Sequence, residues 1–379
     1  MSKHSKVQPK INSKSRKTPT QQRSSLDPHT SSELAIGIDL GDRYSEVCVL
    51  DADGEISSRS RVRTTPEAVE QHFSALAPTR IAIETGTHSG WVSRLLTACG
   101  HDVIVANARE LRMIHQSDRK NDRADAHILA RMVRFDPQLL SPIQHRSAEM
   151  QADIALLRAR EALVTARANF TNTARGLVKA MGGRLPQCST ASFGRRVREK
   201  IPAELHPVLM PLVTIIDNLC EQIRCYDQRI AALAQERYPQ TALLQQVAGV
   251  GALTSLAFTL TLSDKNRFAR SRDVGPYLGL VPRQCDSGER SPQLPITKAG
   301  NGYMRRLLVG SAQYILGPFG PDTNLRRYGL RLSQRGGKNA KKRAIVAVAR
   351  KLAVLLHRLW VTGEVYEPLR NRPNQQAAA

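Results

Sequence analysis

Leu34-Ala-Ile-Gly-Ile-Asp-Leu40 is the stretch whose reading decides the fold. It is an apolar run of strand length with one carboxylate, Asp39, set inside the pattern and Gly41 directly behind it. Runs of this kind form core strands, and a core strand does not keep a charge without a reason. Asp39 therefore has two readings. It caps a turn at Gly41-Asp42, or it is the first ligand of a metal site carried on a central strand. Further carboxylates stand in suggestive places: Glu84 closes the apolar run Arg80-Ile-Ala-Ile-Glu84, and Asp122 is followed three residues on by Asp125.

Downstream of Leu40 the pattern reads as strand, turn and strand. Residues 44–50 form a second strand, Asp53-Gly54 a hairpin turn, and 55–63 a third strand. Thr65-Pro66-Glu67 opens a helix to about residue 76, with Thr at the cap and Pro in the first turn. Residues 80–84 are the next strand, 88–99 a helix closed by Gly100, 103–107 a fifth strand, and a helix is expected from Ala108. Three antiparallel strands followed by alternating helices and strands make a mixed α/β sheet. That order is the ribonuclease-H-like (RuvC-like) plan, in which carboxylates at strand ends and on a following helix converge.

Asp122 and Asp125 fall on one helix face near its N-terminus. Ala126, Leu129, Met132 and Val133 continue roughly that face as packing. An acidic first turn commonly answers the helix dipole. Two like charges on a buried-facing stripe nevertheless repel, and a cation between them relieves the repulsion. With Asp39 and Glu84 in the matching strand positions, the metal reading is favoured. Four carboxylates suit a hard divalent cation such as Mg²⁺, with two ions expected. Asp42, Asp102, Asp118 and Asp136 read as turn or surface residues.

A chain of 379 residues has room for two or three domains. Lys and Arg outnumber Asp and Glu by 56 to 33, a net charge of +23, which speaks for a polyanionic partner, nucleic acid first among them. No apolar run approaches the 18 or so residues of a spanning helix, and the N-terminus has no apolar signal core, so no membrane role is expected. The six cysteines are scattered without a Cys-x-x-Cys, so neither a disulfide framework nor a zinc site follows. The expectation is a reduced, cytoplasmic, nucleoid-associated protein.

The domain boundaries expected are a disordered basic arm at 1–33, an α/β domain at 34–146, a helical arm at 147–240, a mainly helical domain at 241–365 and a disordered tail at 366–379. The N-terminal arm lacks the apolar residues to offset its ordering entropy. In 147–240, Leu156, Leu163, Phe170 and Leu177 repeat every seven, with Ala152, Ala159, Ala166, Thr173 and Ala180 at the complementary positions. Ile216, Ile223 and Ile230 interleave with Leu212, Leu219, Tyr226 and Leu233. Two long helices packed as a coiled coil are expected, serving as spacer or oligomerisation device.

From Leu243 the sequence has the look of a helix-hairpin-helix, in which Gly249 and Gly251 let backbone amides approach a phosphate; a plain helix–helix turn is the alternative. No acidic residue falls between Asp322 and Glu364, while Lys338, Lys341, Lys342 and Arg343 do. That stretch reads as a phosphate-backbone contact ending in an apolar helix over 344–360. Arg283 and Lys298 lie within the polar loop 281–302 and join the candidate contacts. Aromatic residues are only 4% of the chain, so base stacking is not expected as the main mode. At the loop's centre Ser287 could touch a phosphate or attack one, and the sequence identifies no neighbouring base for it.

Gly37-Ile-Asp-Leu-Gly41, Ile83-Glu-Thr-Gly86 and Lys120-Asn-Asp-Arg-Ala-Asp-Ala126 closely resemble the N-terminal domain of the DEDD-type insertion-sequence transposases. Gly249-Val-Gly251, Tyr277-Leu-Gly-Leu-Val-Pro-Arg283, Asp286-Ser-Gly-Glu289 and Ile296-Thr-Lys-Ala-Gly-Asn301 resemble their C-terminal transposase domain. The resemblance spans about 34 to 360. It implies a recombinase with a RuvC-like domain, a coiled coil and a serine-bearing domain, acting on DNA at element ends and target under the guidance of a structured bridge RNA. Carried over by position, the metal-binding tetrad is Asp39, Glu84, Asp122 and Asp125, and the nucleophile is Ser287, with Ser291 close by. Asn121 stands where threonine or lysine is usual. Serine and tetrad are about 160 residues apart in sequence, so the coiled coil has to bring them together, between subunits of a dimer or tetramer if need be.

Three other readings share parts of this pattern. A junction resolvase would use the same carboxylates with water as nucleophile. A sugar-kinase or actin-like ATPase also begins with Ile-Asp-Leu-Gly, but no second phosphate loop is found and the charge of +23 opposes it. A nucleic-acid-binding protein without chemistry needs only the basic surfaces.

Overall fold

Strand β1 (Ala35–Asp39) is the hub of a five-stranded sheet. It pairs antiparallel with β2 (Tyr44–Leu50), which pairs antiparallel with β3 (Ile56–Arg63). On its other side it runs parallel to β4 (Arg80–Glu84), which is parallel to β5 (Asp102–Ala106). The order is β3-β2-β1-β4-β5. The structure, a computed structural model, describes residues 34–108, 121–285 and 294–370. By internal contact the chain divides into two compact units, Met1–His145 and Arg146–Ala379. The helix expected from Ala108 falls on 109–120, outside the described residues.

One face of the sheet carries α1 (Pro66–Phe73) and α2 (Ser89–Ala98), with Ile36, Ile38, Ile81, Ile83, Phe73 and Leu96 fully buried between the layers. Thr65 caps α1 through its side chain and Pro66 occupies the first turn, as turn chemistry predicts. The other face is covered by α3 (Asp122–Phe135), which lays Leu129 and Val133 on Ala35, Ala82 and Ala106. Gly37 makes that layer close. A Cβ there would run into the Ala126 carbonyl oxygen and the Ala130 amide nitrogen, so helix backbone rests on strand backbone. A glycine inside a strand often marks such an approach.

The second unit is helical. α4 (Ala148–Ala180) and α5 (His206–Glu236) run antiparallel, as Arg160–Asp227 and Arg167–Cys220 pairings show. Their seam differs from the expected one. In α4 the buried residues are Asp153, Leu157, Thr171, Ala174 and Val178, whereas Ala152, Thr173, Leu177 and Ala180 are exposed and Leu156, Leu163 and Phe170 only half-buried. In α5 the expected Ile216, Ile223 and Ile230 are buried, but beside Leu209, Val213, Cys220 and Ala234 rather than the Leu212–Leu233 row. Both seams alternate steps of four and three. Arg160 and Arg167 occupy positions on the α4 seam, so its apolar signal is broken and the neighbouring leucine row looks stronger than it is. Arg160 meets Asp227 with two contacts of 2.8 and 3.3 Å.

At their inner ends Leu157, Ile230 and Ala234 join a core built with α6 (Gln240–Gln245), α7 (Ala252–Leu262), α8 (Gly302–Leu316), α9 (Asn324–Ser333) and α10 (Ala340–Thr362). The arm and the C-terminal helices thus share one compact unit. At the outer ends Val178, Phe193, Val197, Leu209 and Val213 form a separate small core. α7 is almost wholly buried. α10 is anchored by His357, whose Nδ1 lies 3.0 Å from Ser271 Oγ and whose Nε2 lies 3.0 Å from the Lys265 carbonyl. No helix among the described residues is long and apolar enough to cross a membrane, and all six cysteines are free thiols.

Two outcomes follow. Gly37→Ala forces α3 off the sheet and lowers the unfolding free energy by about 1–3 kcal/mol, read by urea denaturation. Burial pushes the His357 pKa down, with the Lys265 carbonyl partly offsetting it. The unfolded chain therefore takes up a proton near pH 6.5 that the folded unit refuses. Stability falls as pH drops from 7 to 5, and His357→Gln flattens that slope in unfolding curves at the two pH values.

Candidate functional site

The acidic end of the sheet is assembled by strand register. Ile38 pairs with Ile83 in the parallel β1–β4 ladder, so Asp39 and Glu84 close neighbouring strands at the same end. Side chains alternate along a strand. Gly37 and Ala82 face α3, and two residues further on so do Asp39 and Glu84. The direction of α3 brings its carboxylates to that end. Near its C-terminus Arg134 reaches the Ala52 carbonyl in the β2–β3 turn, while near its N-terminus Arg123 pairs with Glu46 at 3.5 Å. Because Glu46 is the cross-strand partner of Asp39, the first turn of α3 lies over the Asp39 end of β1.

Asn121 caps that turn, its side chain accepting from the Arg123 amide. Asp125 is 5% exposed, whereas Asp122 is on the open side of the same turn. The helix N-terminus favours both charges. Glu46 is a fifth carboxylate at this end, bridging Arg61 at 3.3 Å and Arg123 at 3.5 Å. Sequence reading missed it. The available signal was the short link between β1 and β2, which sets Glu46 opposite Asp39. In kind these side chains fit a hard divalent cation, since all are carboxylate oxygen donors. Among the described residues no group of three or more His, Cys, Asp or Glu side chains stands close enough to hold a metal ion. The carboxylates share an end and a face without forming a closed ligand set.

The remaining candidates lie in the second unit. Gly249 has φ +82°, and a Cβ there would press on the Ser311 carbonyl at 3.1 Å and the Tyr314 ring at 3.0 Å. Conformation and packing against α8 both call for this glycine. Gly251 sits exposed at the start of α7 with open space around its Cα. Arg283 and Lys298 are exposed on the two legs of the polar loop. The legs are tied by Arg283 N to Pro295 O and Thr297 N to Val281 O, each 2.9 Å. Lys298 has φ +57°, a strained conformation for a side-chain-bearing residue and one that tends to cluster at functional sites. Its amide donates to Gly279 O at 3.2 Å. Ser287 and Ser291 lie outside the described residues. Lys338, Lys341, Lys342 and Arg343 are exposed around the start of α10, whose first turn holds no acidic residue. Cations at a helix N-terminus add to its positive dipole end, and an anion there relieves both.

A mixed five-stranded sheet with an acidic end, joined to a basic helical unit, is compatible with a ribonuclease-H-like domain carrying a nucleic-acid-handling region. Comparison with known proteins gives the family. A DEDD transposase profile of the IS110 type matches residues 36–182, and the profile described as transposase IS116/IS110/IS902 family matches residues 241–322. The transposase for insertion sequence element IS1328 of Yersinia enterocolitica is 30% identical over 287 residues, covering 73% of this chain and 82% of that protein. The transposase for insertion sequence element IS1111A of Coxiella burnetii is 28% identical over 347 residues, 87% and 90% of the two chains. A probable family 20 transposase of Pseudomonas aeruginosa is 26% identical, with 88% and 98% covered. The chain belongs to the IS110 family of DEDD insertion-sequence transposases.

Glu46→Ala leaves Arg61 and Arg123 without their carboxylate. Both arginines are well exposed, so the loss is about 0.5–1 kcal/mol at low salt. It shrinks in 1 M salt, where the Debye length is about 3 Å. Urea unfolding at the two salt concentrations reads the difference.

Proposed function

We propose that this transposase moves its insertion sequence by cutting and rejoining DNA strands through a covalent phosphoserine link, under the guidance of a structured bridge RNA. The observation that carries the reading is the acidic end of the sheet, where Asp39 and Glu84 close adjacent parallel strands on the face covered by Asp122 and Asp125. Asp39, Glu84, Asp122 and Asp125 would hold Mg²⁺, which when bound supplies charge stabilisation at the phosphate oxygens. Ser287 is the nucleophile. Its Oγ bonds to phosphorus, the sugar oxygen leaves and takes a proton, and the serine proton passes to solvent. The diester's bond energy is kept in the phosphoserine, so attack by a hydroxyl of a second strand restores both a DNA diester and the serine.

The rest of the chain binds and orients. Exposed Lys338, Lys341, Lys342 and Arg343 contact phosphates, Arg283 and Lys298 hold the strand at the legs of the serine loop, and the Gly249–Gly251 turn offers its amides to the backbone. The protein works as a homo-oligomer, a dimer or tetramer joined through the helical arm.

One set of variants tests the reading. Ser287→Ala binds DNA and gives no covalent protein–DNA product on a denaturing gel, while Ser291→Ala stays near wild type. Ala at Asp39, Glu84, Asp122 or Asp125 lowers cleavage on the order of 100-fold or more with DNA binding retained. Wild-type recombination by Ser287→Ala replaces the covalent route with a water-driven cut of the resolvase kind. Metal-dependent cleavage surviving in two of the four carboxylate variants removes the tetrad. Sequencing of co-purified RNA identifies the guide.

A further inference from the structure

The second unit contains a groove of about 1230 Å³ between α9, α10, the legs of the serine loop and the segment 364–370. It exceeds the roughly 300–1,000 Å³ of a compact small-molecule pocket. Two kinds of side chain line it. Leu325, Tyr328, Val354 and Leu355 cover the apolar wall, and Arg335, Lys342, Arg350, Lys351 and Arg358 stand among and above them. Two acids also border it. One of them, Glu364, is taken up by Arg358 at 2.9 Å and Arg370 at 2.6 Å.

We propose that this groove seats an unpaired strand of DNA, phosphates on the α10 cations and bases against the apolar wall. This rests on the strand-transfer reading above, and it adds a site for the strand freed from its complement beside the serine loop. Charge complementarity identifies a polyanion. The apolar wall separates single strand from duplex, because paired bases are stacked inside a duplex and offer a protein groove chiefly phosphate and sugar, while unpaired bases have open faces to cover. Arg343 and Arg350 recur two turns apart along one side of α10, about 10 Å of helix, and Arg358, paired with Glu364, continues that side two turns further. Lys351 Nζ lies 3.8 Å from the Tyr328 ring centre, so a cation and an aromatic ring stand together in the groove wall. Pro282 and Pro295, on the two legs of the loop that carries Ser287, border the same groove, so a strand lying in it passes those legs.

The test is binding by the full-length protein without metal, by fluorescence anisotropy with labelled oligo-dT, a blunt DNA duplex of equal length and oligo-rU. Wild type binds oligo-dT at least tenfold tighter than the duplex. Arg350→Gln and Lys351→Gln, which keep much of each side chain's apolar stem, weaken oligo-dT at least fivefold and the duplex less than twofold. Tyr328→Leu, which keeps the wall apolar but removes the ring, weakens oligo-dT at least threefold and spares the duplex. Lys179→Gln, at the far end of α4, changes neither. Equal affinity for oligo-dT and duplex, or equal losses for both in the Gln variants, overturns the proposal. Tighter binding of oligo-rU than oligo-dT overturns the assignment to DNA. Unchanged nucleic-acid affinity with a smaller assembly in sedimentation assigns the groove to a second copy of the chain, and also overturns it. None of these readouts uses cleavage, so a failed serine mechanism leaves them intact and a failed groove leaves the serine test intact.

Discussion

The acidic end of the sheet depends on one contact, the backbone of α3 resting on the backbone of β1 at Gly37. Helices ordinarily stand off their neighbours by the thickness of two side chains. Here glycine on the strand and Ala126 and Ala130 on the helix remove that thickness, and the helix descends until carbonyl and amide atoms meet the strand. Asp125 descends with it, into the level at which Asp39 and Glu84 end. Two ties then fix the rotation of α3: Arg134 on the Ala52 carbonyl at one end, Arg123 on Glu46 at the other. A side chain at position 37 would lift the helix and carry the carboxylates apart, without touching any of them.

That descent gathers like charges. Asp39, Glu46, Glu84, Asp122 and Asp125 share one end of the sheet, and Glu46 there is met by Arg61 at 3.3 Å and Arg123 at 3.5 Å. The dipole of α3 favours the pair in its first turn, by about 0.3–1 kcal/mol at an exposed site. Carboxylates gathered on a scaffold held in backbone contact are the arrangement that the proposed cation site would use.

Much of this was legible in the sequence because it rests on short-range pattern. The strands show as apolar runs, their order follows from the turns between them, and two parallel neighbours ending in Asp39 and Glu84 are visible without coordinates. Glu46 was not, because its place depends on register across a hairpin rather than on its own neighbours. The arm was read one residue out in α4, since Asp153, Arg160 and Arg167 occupy positions an apolar search skips. The groove escaped entirely. Its wall is drawn from four separated stretches, and only the true start of α10 at Ala340 puts Arg343, Arg350 and Arg358 on one side. Composition had announced the charge of that helix, not the surface it shares.

The polar middle of the arm has its own logic. A half-exposed ion pair such as Arg160–Asp227 adds little net stability; the better-attested use of a polar pair in a helix seam is to fix register. The seams of α4 and α5 match Leu157 with Ile230, Arg160 with Asp227, Arg167 with Cys220 and Val178 with Leu209. Sliding one helix by a heptad in one direction would bring Asp227 to Arg167 but strand Arg160 against Ala234. In the other direction it would set Asp227 against Asp153. Each slip leaves a half-buried charge unpaired or set against a like charge, which disfavours it. An all-leucine seam would tolerate both. The arm therefore gives up apolar burial at its centre for a single length, and that length is what lets the large inner core and the small outer core close at the same time.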